Sequence, residues 1–164
     1  MSVGITLEEL LAWNDEASNF WKAHLEANPA LLALPCGIGG TTDVQSFVRH
    51  IWGAELVWSQ IIICLPVTDY DVWPKGPLDA LFGLHLSAVR NFRALLDNTN
   101  TCWDERSVDY PWRRPEMPKP TPRKALAHLL LHSQRHWAQL STLVRTAGSP
   151  SGFLGDLLFS SALE

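Results

Sequence analysis

The stretch TPRKALAHLLLHSQRHWAQLSTLVRTAG, residues 121–148, decides the fold class. Thr121 suits a helix cap, Pro122 suits the first turn, and Gly148 stands just past the end. No Gly or Pro interrupts the run between them. Leu129, His132, His136, Gln139 and Leu143 recur at three and four residues, the spacing of one helical face. Working outward, three more segments read the same way. Thr6 followed by Glu9 makes a capping box for a first helix over about Thr6–Asn28. Its stripe is Leu7, Leu10, Leu11, Asn14, Ala17, Trp21 and Leu25. A second helix is expected from near Thr42, with Gln45 three residues on, to Leu65, where Pro66 stops it. Its stripe is Phe47, His50, Ala54, Val57, Ile61 and Cys64. A third is expected from Pro77, at the first helical position, to Asn98, with Leu81, Leu84, His85, Ala88, Phe92, Leu95 and Leu96 on one side. Four helices of about 20 or more residues with no strand pattern predict an all-α four-helix bundle. The segment Thr99–Pro120 is a long loop between helices three and four, a length often tied to function.

The chain has 164 residues, enough for one domain over 1–164 with its own core. It is 46% hydrophobic and 18% charged, so disorder is excluded as the dominant state. No apolar run approaches the roughly 18 residues of a membrane span. The net charge is −4. Arg113, Arg114, Lys119, Arg123 and Lys124 gather in and after the proline-rich loop, with Glu116 among them. They read as a solvated loop, with an anion clamp as the other reading. No basic stripe for nucleic acid is present. Cys36, Cys64 and Cys102 are odd in number and far apart, which points to reduced thiols. With no basic and apolar leader at Met1, the expectation is a cytoplasmic protein. Eight tryptophans, Trp52, Trp58 and Trp137 among them, are many for this length; core packing is their default role and the floor of a pocket the alternative.

Six histidines are present, and His128, His132 and His136 lie four residues apart in the last helix. Imidazoles at i and i+4 can hold one metal ion together, and a facing helix can supply a third ligand. His132 and His136 are the better pair, because the face has drifted by His128. The third ligand is His50 or His85, and spacing does not choose between them. Ser133-Gln134-Arg135 separates the pair, so the Glu of a His-Glu-x-x-His protease is absent. Glu55 could accept from a ligand or act as a base, but it stands about 140° round the helix from His50, which better suits a solvated or interhelical role. Gln139, one turn beyond His136, either orients a ligand or hydrogen-bonds within the bundle. Asn14 is a satisfied core group or a pocket residue.

Several of these segments together resemble the DinB/YfiT-like superfamily. His132-x-x-x-His136-x-x-Gln139 is similar to the motif of its last helix. His50-x-x-x-x-Glu55-x-x-Trp58 is similar to that of its second. Leu10-Leu11-Ala12-Trp13-Asn14-Asp15-Glu16-Ala17 and Phe153–Leu158, with Asp156, resemble its two ends. One departure is Trp137-Ala138, where many members carry Arg-Gly; another is Arg135, where several have His. The resemblance implies a four-helix bundle, commonly a homodimer, holding nickel or zinc through His50, His132 and His136. It thereby selects His50 over His85. It also implies a metal-dependent enzyme acting on a small-molecule substrate, a low-molecular-weight thiol in S-transferase or hydrolase chemistry. The alternative is a non-catalytic metal- or ligand-binding stress-response protein.

Overall fold

A computed structural model describes residues 4–97 and 103–163 of the chain. Its elements are all helical: α1 (Leu7–Ala27), α2 (Val44–Ile62), α3 (Leu78–Leu96) and α4 (Pro122–Thr146), with short 3₁₀ turns in the connections and tail. Among the described residues there is no strand, only an isolated antiparallel bridge between Pro35 and Asp43. Among the described residues, no helix is long and apolar enough to cross a membrane.

The helix ends follow from local hydrogen bonding. Thr6 Oγ1 accepts from the Glu9 backbone N–H at 3.1 Å, and the Glu9 carboxylate accepts from the Thr6 N–H at 2.6 Å, closing the expected capping box. At α2 the expected cap is displaced by one residue. Asp43, not Thr42, is the cap: its Oδ1 accepts from the Ser46 N–H at 2.7 Å, and Ser46 Oγ accepts from the Asp43 N–H at 3.1 Å. Ser46 therefore takes the part assigned to Gln45. At its other end α2 stops at Ile62 rather than Leu65. Cys64 adopts φ 60°, and the Leu65 N–H reaches back to the Gln60 carbonyl at 2.8 Å. That is the left-handed closure normally given to glycine. The Arg106 guanidinium supplements it by donating to the Ile62 carbonyl and to Cys64 Sγ. Pro77 is the residue before α3 rather than its first member, with extended ψ 156°. Helices α2 and α3 are each 19 residues long, a little short of expectation. Asn98, the expected end of α3, lies outside the described residues, as do Thr99 and Cys102. At α4, Thr121 caps the Lys124 N–H as expected. Gly148 closes the other end at φ 83°, with the Ser149 N–H on the Val144 carbonyl.

The chain divides into two compact units, residues 1–51 with 132–164 and residues 52–131. In the first, Trp21, Leu25, Val44, Phe47, Ile51, Trp137 and Leu140 are fully buried. The Trp21 and Trp137 rings stack with centroids 6.0 Å apart. The tail fastens to α1: the Trp13 indole N–H donates to the Gly155 carbonyl at 3.1 Å. In the second, Trp52, Ile62, Leu81, Leu126, Leu129 and Leu130 are buried, and Trp52 meets Phe82 edge-on at 5.3 Å. The described part of the long loop is ordered against this unit. Val108 is buried and its N–H donates to the Pro120 carbonyl at 2.8 Å. Tyr110 and Trp112 pack on Trp58, with centroids 5.3 and 5.6 Å away. Three of the basic residues there are matched by acids: Arg113 and Lys119 with Asp109, and Arg123 with Asp104. Lys119 and Arg113 hold the Asp109 carboxyl well below the usual carboxylate range.

Two tests follow from these local arrangements. Hydrogen bonding to Ser46 lowers the Asp43 carboxyl below its ordinary value. The stabilisation it gives is therefore present above about pH 3.9 and is lost as pH falls through the lower folded value. Asp43→Ala should cost about 1 kcal/mol in urea unfolding at neutral pH, and the gap from wild type should narrow in acid. A Cβ built on Gly53 would overlap the Trp73 indole, whereas Gly83 in α3 has open space around it. Gly53→Ala should destabilise by about 1–3 kcal/mol, and Gly83→Ala should stabilise by roughly 0.5–1 kcal/mol. Equal effects at the two sites would contradict this packing.

Candidate metal centre

Helix α4 carries Pro122, Leu126, Leu129, Ser133, His136, Leu140 and Val144 inward at three- and four-residue steps. His132 and His136 thus come one above the other near the same face, with rings perpendicular and centroids 4.2 Å apart. Their Nε2 atoms lie 3.0 Å from one another. His50, two turns into α2, brings its ring to 5.5 Å from His132 and 5.3 Å from His136. One ligand atom from each of the three lies within 4.8 Å of the others. All three belong to the first compact unit.

The donor set fits a metal ion. A tetrahedral ion with metal–nitrogen bonds of about 2.0–2.1 Å keeps its nitrogens roughly 3.3 Å apart, a spacing that the cluster can reach by small ring movements. The orientation of His136 is fixed from behind. Its Nδ1 donates to Gln139 Oε1 at 2.6 Å, leaving Nε2 as the lone-pair nitrogen that faces His132. Phe47, one turn before His50, meets the His136 ring edge-on at 5.1 Å and limits its swing. Burial pushes the His50 pKa down, and the neighbouring His136 pushes it further. Burial also lowers that of His136, with Arg135 adding to it and the Gln139 bond opposing. Both rings are therefore neutral at pH 7, as ligation requires.

The other histidines are placed elsewhere. His85 is not a member of the cluster: its Nδ1 lies 2.5 Å from Glu55 Oε2, each side chain 1% exposed. Glu55 is thus interhelical and fully buried rather than solvated. His128 is exposed and packs on Trp58 at 5.8 Å, and His24 stacks on Phe20. Trp52 and Trp137 are fully buried core residues, while Trp58 is part of the loop cluster. Asn14 is a buried residue of α1. Sequence reasoning missed two features. The Glu55–His85 pairing was signalled only by two titratable residues inside otherwise apolar runs. The contact of Phe47 with His136 had no local signal, since it joins two helices.

The Gln139 contact gives a direct test. Gln139→Leu should weaken zinc binding by about 10–100-fold in a chelator competition while helicity is retained, and Gln139→Glu should preserve much of it. Unchanged affinity in Gln139→Leu would show that the amide does not orient the ligand. No protein-family model matches the chain, and no curated protein matches it.

Proposed function

We propose that the chain is a divalent-metal-dependent enzyme, with nickel or zinc held by His50, His132 and His136. The observation that carries this reading is the convergence of three imidazoles from two helices, ligand atoms within 4.8 Å of one another. Among the described residues, three protein nitrogens with no fourth side-chain ligand beside them make the donor set of an open site rather than a closed structural one. When bound, the ion supplies Lewis acidity toward a thiol or a water. The chain's own residues perform the remaining tasks. Gln139 holds His136 in one tautomer, Phe47 restrains its ring, and burial keeps the His50 and His136 rings neutral.

The reading extends to kinship. We place the chain with the DinB/YfiT-like superfamily, as a four-helix bundle that works as a cytoplasmic homodimer. Its substrate on this reading is a small molecule, a low-molecular-weight thiol undergoing S-transfer, with hydrolysis as the close variant. Support comes from helix order: His50 lies on the second long helix, His132 and His136 lie on the fourth, and Gln139 lies one turn further on.

Elemental analysis of tag-free protein tests the metal. About one nickel or zinc per chain is expected in wild type, with loss in His50→Ala, His132→Ala and His136→Ala at unchanged helicity. A folded wild type that takes up neither ion on reconstitution would overturn the proposal. For the chemistry, thiol-consuming turnover should vanish in the same three variants, and light scattering should give twice the chain mass.

A further inference from the structure

A cavity of about 320 Å³ lies between the start of α1 and the C-terminal tail, and none of the three clustered histidines lines it. Its walls include the rings of Trp13, Phe20, Phe153 and Phe159, with Glu16 beside them. The site is built rather than a loose crease. Phe153 is pinned against Phe20 at 5.1 Å and Trp21 at 5.4 Å. Trp13 is held by its indole N–H on the Gly155 carbonyl. Glu16 is fixed by the Ser160 hydroxyl at 2.5 Å, by the Ser161 N–H at 3.2 Å and by the Ser161 hydroxyl.

The charge of that carboxylate is uncompensated. Its three donors are all neutral, and among the described residues neither Lys nor Arg pairs with it. Burial raises its pKa, the serine hydrogen bonds outweigh that effect, and Glu16 is ionised at neutral pH. The two segments that line the cavity carry charge of one sign, and the His24 ring beyond them stacks on Phe20 at 6.0 Å. Residues 7–20 contain Glu8, Glu9, Asp15 and Glu16, and residues 147–163 contain Asp156, yet neither segment holds a Lys, Arg or His. Aromatic faces add negative potential of their own. An anion is repelled from such a place. A hard metal ion wants six or more oxygens, and the cavity offers one carboxylate among hydrocarbon rings. A cation that is diffuse and apolar on its surface meets both requirements.

We propose that this cavity binds the quaternary or methylated ammonium group of a small molecule, with Trp13, Phe20, Phe153 and Phe159 packed around the cation and Glu16 balancing its charge. The volume suits a headgroup and a short attached chain. The site uses residues separate from the histidines, so it stands whether or not they hold a metal.

Isothermal titration with choline tests it, against the uncharged isostere in which tert-butyl replaces trimethylammonium. Saturable choline binding is expected, with the isostere weaker by about tenfold or more. Glu16→Gln and Trp13→Leu should each weaken choline by about tenfold. Phe159→Leu, at an exposed position that spares the fold, should weaken it severalfold. Equal binding of choline and its isostere would overturn the proposal, reducing the cavity to an apolar crease. So would the absence of saturable choline binding by the folded wild type, or full affinity in both Phe159→Leu and Glu16→Gln.

Discussion

Along α4 the buried residues Pro122, Leu126, Leu129, Ser133, His136, Leu140 and Val144 recur at three- and four-residue steps, with Ala125, Leu130 and Trp137 widening the stripe. A helix has one such face, and here that face must serve both the hydrocarbon core and a pair of imidazoles. The compromise is visible in side-chain size. Small Ser133 stands between His132 and His136, and the large Trp137 is turned fully into the core beside them. The imidazoles are thereby held against packed neighbours instead of swinging at a surface. Preorganisation of this kind is what lets a short polar cluster persist inside an apolar environment.

Much of this was legible in the sequence because it is local. The caps at Thr6 and Thr121, the closure at Gly148 and the i, i+4 histidine pair each depend on residues a single turn apart. Legibility ended where tertiary geometry or rare backbone states took over. The end of α2 is set by Cys64 in a left-handed conformation, and no sequence rule marks a cysteine for that role. At the start of α2 the expected cap was Thr42, and the cap falls instead on Asp43, because Ser46 three residues on exchanges hydrogen bonds with it. Choosing His50 over His85 required knowing which helix turns which face toward α4; spacing left both open, and only the family resemblance favoured the residue that the cluster contains.

The fate of His85 shows how a buried polar pair differs from a site. Glu55 and His85 satisfy one another at 2.5 Å, each sealed from solvent. Such a pair is expensive to break from one side and far cheaper to replace from both, so it specifies packing. Gln139 and His136 form the contrasting case. There the amide occupies one ring nitrogen and leaves the other aimed at a second imidazole.

Gly53 carries a consequence for descent. The Trp73 indole lies directly on the bare backbone of α2, in the place where any other residue would put its first side-chain carbon. The two positions are therefore not free to drift separately. A lineage that acquires a side chain at 53 must first shrink or relocate the ring at 73, and a lineage that loses the tryptophan leaves a hollow that a larger residue at 53 could fill. Across related sequences, glycine at the one position and a large flat ring at the other should be inherited together.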